Sequence, residues 1–353
     1  MTMTARPVTP FPHYRTTTMA NAGLVLSLLL LLAAAALGCW VVGTRGLDIG
    51  TDTSVYAGFF ERLGQGPFET RLEPGFVFVS YLLNRMGLDI TGYQAALFAL
   101  LLLTACLSTR RYFDYLGATH GYLTFLSASL MLLYVSPMFV NASINAVRQG
   151  LAALLVFAAL LSFQQRKWIP FALYGLVAAS LHVSSLLYLA FAPALFMKAR
   201  VLRYGAVLAF ALYCTGLSLL LVQALLPQLY TVVMTYTVNP EYRSGVRIDF
   251  AVFSLFWYGL PLLLAPLVQP RFRERINDST AVYLVMLLPF FAIGWGYYSN
   301  RYLLPPWLAA SLIIAAILCH SRLAVLRNPL LVRMGLVASC GVFYFYVTRV
   351  ILI

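Results

Sequence analysis

Charge is the first thing this chain lacks. Charged side chains make up 10% of its 353 residues, where a soluble domain carries roughly 25%. With 61% of residues hydrophobic, a water-soluble fold is excluded, because it cannot bury so much apolar surface. Short alternating strands are also missing, which excludes an outer-membrane barrel. So are the GxxxxGK[ST] loop, a GxGxxG after a strand, an HExxH and a DxD pair, so no nucleotide-binding or metal-dependent motif is present. Asp48, Thr51 and Asp52 do not make a metal site by themselves, and no cofactor is predicted. Cysteine is sparse. Cys39, Cys106, Cys214, Cys319 and Cys340 all fall inside apolar runs, without a CxxC spacing, so neither disulfides nor metal ligation is expected. The net charge of +13 invites a nucleic-acid partner. The basic residues are scattered between apolar runs rather than gathered on one face, which argues against it.

What the chain has instead is apolar runs long enough for a hydrocarbon core of about 30 Å. They predict an all-α, polytopic transmembrane bundle in one membrane domain over residues 20–353, preceded by a disordered cytoplasmic tail over 1–19. The first span is an uncleaved run from Asn21 to Val42. Further crossings are expected near 91–108, 119–137, 146–165, 203–226, 250–268, 279–296, 303–319 and 332–350. Residues 74–86 are too short to cross and read as a re-entrant or interfacial helix. Residues 168–197 carry basic residues at both ends and must go out and back as two short helices, with His182 near the turn. That makes about eleven crossings, with outer loops near 44–73 and 227–249. Fifteen of the 24 basic residues, both lysines included, fall on the side of the N-terminus, which the positive-inside rule assigns to the cytoplasm. Eight of the eleven acids lie on the other side. Topology does not require them there.

Three outer elements carry the chemistry of interest. Asp52 or Thr53 caps a short surface helix through Gly64, whose apolar face is Val55, Phe59 and Leu63. Glu73 precedes a proline, so its backbone is extended. It sits where the chain meets the bilayer, and partial desolvation there should raise its pKa, as suits a general base. The plainer alternative is a solvated loop. Arg148 falls in the first turn of a membrane helix, where it opposes the helix dipole and is costly near hydrocarbon. A bound anion, phosphate above all, would remove both objections. Pairing with an outer carboxylate, or snorkelling to headgroups, would too. His182 interrupts an apolar hairpin at the same membrane level, although a lone histidine is more often structural. Two weaker groups are the loop with Tyr230, Tyr236, Glu241, Tyr242, Arg243, Arg247 and Asp249, and the run Gly296-Tyr297-Tyr298-Ser299-Asn300-Arg301-Tyr302. Interfacial tyrosine is ordinary belt composition. Beside arginine it can also stack on sugar rings.

Four motifs in order, Gly50-Thr51-Asp52-Thr53-Ser54-Val55-Tyr56, Glu73-Pro74-Gly75-Phe76, Asn145-Ala146-Val147-Arg148-Gln149-Gly150-Leu151-Ala152 and Ala178-Ala179-Ser180-Leu181-His182-Val183-Ser184-Ser185-Leu186, resemble the EpsG family of exopolysaccharide membrane proteins, related to Wzy-type polymerases. Asn300-Arg301-Tyr302 resembles the family's arginine-tyrosine element. The resemblance spans about 45 to 305. It implies a GT-C-like, inverting, metal-independent glycosyltransferase that polymerises polyprenyl-diphosphate-linked repeat units into exopolysaccharide or O-antigen at the outer face of the bacterial inner membrane. On that reading Glu73, Asp52 and His182 are the candidate catalytic residues. Arg148 binds the diphosphate with Arg301, Arg243 and Arg247 as helpers, and Tyr56, Tyr242, Tyr298 and Tyr302 meet the saccharide. Partners are the lipid-linked saccharide, the bilayer, a chain-length regulator and a flippase, with no cofactor and no nucleic acid. Which residue is the base stays open. A flippase of lipid-linked saccharide would share the outer arginines but place polar residues along its spans. A membrane acyltransferase would need a histidine-acid pair open to a cytoplasmic donor. A monomer-adding glycosyltransferase would elongate by single sugars.

Overall fold

The computed structural model describes residues 13–66, 69–235 and 243–349. Among the described residues every regular element is a helix, beside one isolated bridge between Val268 and Ser321. In chain order these are α1 (His13–Gly43), α2 (Thr53–Leu63), α3 (Pro74–Arg85), α4 (Ile90–Leu116), α5 (Tyr122–Tyr134), α6 (Pro137–Ile144), α7 (Val147–Gln164), α8 (Trp168–Leu181) and α9 (Ser185–Ala190). There follow α10 (Ala199–Cys214), α11 (Leu217–Leu225), α12 (Pro227–Thr235), α13 (Ile248–Leu264), α14 (Pro270–Ile293), α15 (Leu304–Cys319) and α16 (Pro329–Arg349), with 3-10 turns at Ala192–Phe196, Ala265–Leu267 and Ser299–Leu303.

Helix α7 is the axis of the bundle. It is apolar all round, as a fully enclosed helix must be, and every residue from Gln149 to Phe163 is buried. It packs against α4, α6, α8, α14 and α15. Long apolar faces on α1, α13 and α16 stay exposed, among them Leu29, Leu32, Val252, Leu263 and Val337. Water would not tolerate such faces, whereas a bilayer solvates them.

Among the described residues seven helices, α1, α4, α7, α14, α16, and α13 and α15 with their adjoining 3-10 turns, are long and apolar enough to cross a membrane, or up to nine elements if each of two bent pairs forms one span. The pairs are α5 with α6, bent by 80°, and α10 with α11, bent by 86°. The crossing expected near 203–226 is here a bent pair. Gly216 adopts φ +77° there, a left-handed conformation that only glycine enters cheaply, and it turns the chain between α10 and α11. The other two of the eleven expected crossings are the hairpin arms over 168–197. They are short, 14 residues in α8 and 6 in α9. Fourteen residues span about 21 Å, less than a hydrocarbon core. His182 caps α8 in extended conformation, at the turn as expected.

The α2 helix forms where expected, with Phe59 buried and Leu63 half-buried as expected, but its face is turned toward Tyr56 and Phe60 and away from Val55. Its buried side chains are Tyr56, Phe59 and Phe60, while Val55 is 60% exposed. Aromatic partners decide this. Phe60 stacks on Tyr93 at 4.0 Å between centroids, and Tyr56 and Phe59 meet Phe76 of α3 at 5.5 and 6.1 Å. Rings bury more apolar area than Val55 does. Before it, α1 begins at His13, inside the segment 1–19 expected to be an unstructured tail.

Candidate functional site

The site is assembled at the starts of α3 and α7 and the end of α8. Glu73 is the N-cap of α3, with extended backbone (φ −65°, ψ 143°) forced by Pro74. Gly75 lets α3 approach α8 closely: a Cβ added at Gly75 would lie 2.7 Å from the carbonyl oxygen of Ser180. That contact carries Glu73 to the α8 turn. There Oε1 of Glu73 lies 2.7 Å from Nδ1 of His182 and accepts a hydrogen bond from the backbone N–H of Val183 at 3.2 Å. Its other oxygen, Oε2, forms an ion pair with Nη1 of Arg148. Arg148, in the first turn of α7, also donates from Nε to the hydroxyl of Tyr56 at 3.4 Å. The cost of a cation at this helix start is therefore met by an internal carboxylate.

Electrostatics reverse one expectation. Burial pushes the Glu73 carboxyl up, as anticipated. The hydrogen bond and charge of His182, and then the charge of Arg148, outweigh it and hold Glu73 at about 2. A carboxylate this acidic is a poor proton acceptor at neutral pH. It is well suited to orient His182 and to stabilise a positive charge upon it.

A second layer lies beside the first. Arg301, in the turn Ser299–Leu303, places Nη2 3.7 Å from Oδ2 of Asp52 and its guanidinium 4.4 Å from the ring centre of Tyr298. Asp52 occupies the N-cap position of α2 but makes no side-chain capping bond. Arg301, Tyr298, Tyr302, His182, Ser184 and Gln149 line one cleft of about 200 Å³. A second, almost wholly apolar groove of about 530 Å³ runs along α4, α7 and α8, with Val79, Leu151 and Leu181 in its wall. Leu181 in this groove is the sequence neighbour of His182 in the first cleft, so the end of α8 contributes to both walls.

A family model, that of the EpsG family, matches residues 28–352. The chain belongs to the EpsG family. The match bears out the resemblance carried by its four short motifs and places the chain among membrane proteins of polysaccharide biosynthesis. No curated protein and no solved structure matches it.

In this EpsG-family chain the four motifs are thus one place in space. Tyr56, Arg148, Glu73 and His182 form a continuous chain of contacts, and Asp52, Arg301, Tyr298 and Tyr302 stand beside them. Two expected arginines stand apart. Arg247 is held bidentately by Asp249, at 3.0 and 2.6 Å, and lies 3.9 Å over Phe250. Arg243 is exposed and does not line the cleft. Tyr242, with Tyr236 and Glu241, lies outside the described residues.

Three residues for which no binding or catalytic role is expected from the sequence hold the arrangement together. Asn145 accepts from the backbone N–H of Thr51 at 2.7 Å, tying the acidic loop to the start of α7. Thr53, 1% exposed, donates to the carbonyls of Ile49 and Ile144 in a shared bond at 2.7 and 3.2 Å. Gln149 donates from Nε2 to the carbonyl of Arg301 at 2.5 Å, while its Oε1 is buried without a partner. The available signal was an amide beside Arg148 at the head of an otherwise apolar helix.

Proposed function

We propose that the chain polymerises polyprenyl-diphosphate-linked saccharide repeat units by inverting glycosyl transfer, at the membrane face that carries Glu73. The observation that carries the proposal is the pairing of His182 with Glu73 at the end of α8, whose adjacent residues Leu181 and His182 line two unlike clefts. The apolar groove suits a polyprenyl tail. The cleft with Arg301, Tyr298 and Tyr302 suits a diphosphate and sugar rings.

With Nδ1–H donated to Glu73, the tautomer of His182 leaves a lone pair on Nε2. That nitrogen takes the proton of the acceptor hydroxyl as its oxygen bonds to the anomeric carbon of the donor. The bond from that carbon to the diphosphate oxygen breaks, and the polyprenyl diphosphate departs with the electron pair. Arg301 is the cation most available to it, being loosely held by Asp52, and Arg148 flanks it. Glu73 then stabilises the imidazolium. Among the three base candidates this favours His182 as the base, with Glu73 orienting it and Asp52 releasing Arg301.

The test is to incubate purified protein with a lipid-linked repeat unit and resolve the product lengths. A ladder in whole repeats is expected, and His182→Gln and Arg148→Ala should abolish it while leaving folded protein. A ladder in single sugars would assign the chain to monomer addition. No ladder from the wild type with its correct substrate, or an unchanged ladder from His182→Gln, would overturn the proposal.

A further inference from the structure

A second polar cleft lies at the opposite end of the bundle. Helix α15 starts beside the Arg301 turn and ends at Cys319, so its 16 residues carry the chain ~24 Å away from the Glu73 cluster. His320 follows at that far end. The cleft has a volume of about 440 Å³, and its lining includes Arg271, Arg275, Arg327, His120, His320 and Gln269. This volume falls within the range of about 300–1,000 Å³ typical of ligand sites.

Its charge is one-sided. Arg271 and Arg275 are one turn apart at the start of α14, so they share a face. Arg327 enters from the connection between α15 and α16, and His120 from that between α4 and α5. All three guanidiniums are exposed, and among the described residues none is paired with a carboxylate. Arg275 is fixed to the wall by a bond from Nη1 to the carbonyl of Tyr115 at 3.0 Å, and Arg271 lies 4.5 Å from the ring centre of Phe272. These cations stand at the positive end of the α14 dipole and repel both it and one another.

An independent feature concerns His320. It is 7% exposed, stacks on Phe272 at 3.9 Å between ring centres, and its Nε2 has no hydrogen-bond partner. A buried ring nitrogen left without a partner is unfavourable, and a bound acceptor would satisfy it. Burial first, and then the charge of Arg271, hold this imidazole down at about 4, so it is neutral at physiological pH. Topology asks only that arginines lie on one side of the membrane. It does not ask that three of them face a common cleft floored by an unsatisfied imidazole.

We propose that this cleft binds a phosphate-bearing anion, remote from the Glu73 cluster. The shared chemistry is a phosphate group held by Arg271, Arg275 and Arg327. Its source is either a phospholipid headgroup or a soluble phosphorylated molecule. The proposal does not rest on the polymerase reading.

Arginine labelling with phenylglyoxal, read residue by residue by mass spectrometry on the full chain, tests it. Inorganic pyrophosphate titrated at constant ionic strength should protect Arg271, Arg275 and Arg327 with one common midpoint. Arg110, exposed and paired with Asp114, should be unaffected. In a parallel arm, the protein is placed in nanodiscs of phosphatidylcholine with or without phosphatidylglycerol. Protection by pyrophosphate alone assigns a soluble phosphate. Protection by phosphatidylglycerol alone assigns a headgroup, and either supports the site. Arg327→Gln should weaken the protection of Arg271 and Arg275 by about tenfold. The same protection must persist in Arg148→Ala, which removes the cation of the Glu73 cluster. Equal labelling with and without every probe, protection of Arg110 alongside the three, or loss of protection in Arg148→Ala would overturn the site.

Discussion

Nδ1 of His182 and Oε1 of Glu73 lie 2.7 Å apart across 109 residues of sequence. This one contact joins the start of α3 to the end of α8. It turns a histidine at a hairpin tip and a carboxylate at a helix start into a dyad. The carboxylate's second oxygen is spent on Arg148. A single side chain therefore sets both the tautomer of the imidazole and the position of the guanidinium.

Replacing that carboxylate tests the orienting role directly. Glu73→Gln should lower turnover by about 100-fold, within the range ascribed to a positioned base, with little change in KM. Imidazole nitrogen spectra of His182 should at the same time show loss of the single tautomer. Lower turnover with an unaltered tautomer would leave Glu73 a purely structural residue.

The same group gives the protein a pH-dependent stability of definite sign. The carboxyl of Glu73 is held at about 2 against an ordinary value of 4.5. Its contribution is complete above pH 4.5 and is lost as pH falls from there toward 2. At about 1.4 kcal/mol per pH unit, discounted for solvent screening, it amounts to ~2 kcal/mol. Thermal unfolding in detergent should show a Tm that drops as the medium is acidified below pH 4.5, and Glu73→Gln should flatten that drop. Parallel curves for the two proteins would contradict the low value.

Gln149 bears on substrate recognition. Its Nε2 is committed to the carbonyl of Arg301, and its Oε1 is buried without a partner, so a sugar hydroxyl or acetamido N–H entering the cleft there would satisfy it. Gln149→Leu should raise KM for the lipid-linked unit by about tenfold and affect turnover less. A fall in Tm with KM unchanged would point to a packing role instead.

Gly75 is required by close approach rather than by backbone conformation. Gly75→Ala would press a methyl group on the Ser180 backbone and drive α3 from α8, at a cost of about 1–3 kcal/mol. Laddering should fail with it, because Glu73 would leave His182. Gly58→Ala is the control. Nothing lies within 4 Å of a Cβ there, and the change should be neutral or mildly stabilising. Equal effects from the two substitutions would refute this explanation.

Local patterns sufficed for much of this protein. Hydropathy and helix-end residues alone dictate a membrane bundle, a helix over Thr53–Leu63, a break before Val147 that leaves Arg148 in a first turn, and a hairpin tipped by His182. Each follows from residues within a few turns of one another. Three other features were decided only by contacts between distant segments. Which face α2 buries depended on Phe76 and Tyr93, which are invisible to the helix's own periodicity. Whether Glu73 titrates high or low depended on Arg148, 75 residues away, and on His182. Which arginines serve the cleft depended on where carboxylates came to lie: Asp249 took Arg247, and Asp52 met Arg301 only loosely. Apolar runs announce themselves because solvation is a property of each segment alone. Charge partnership is a property of pairs, and it exists only once the bundle has packed.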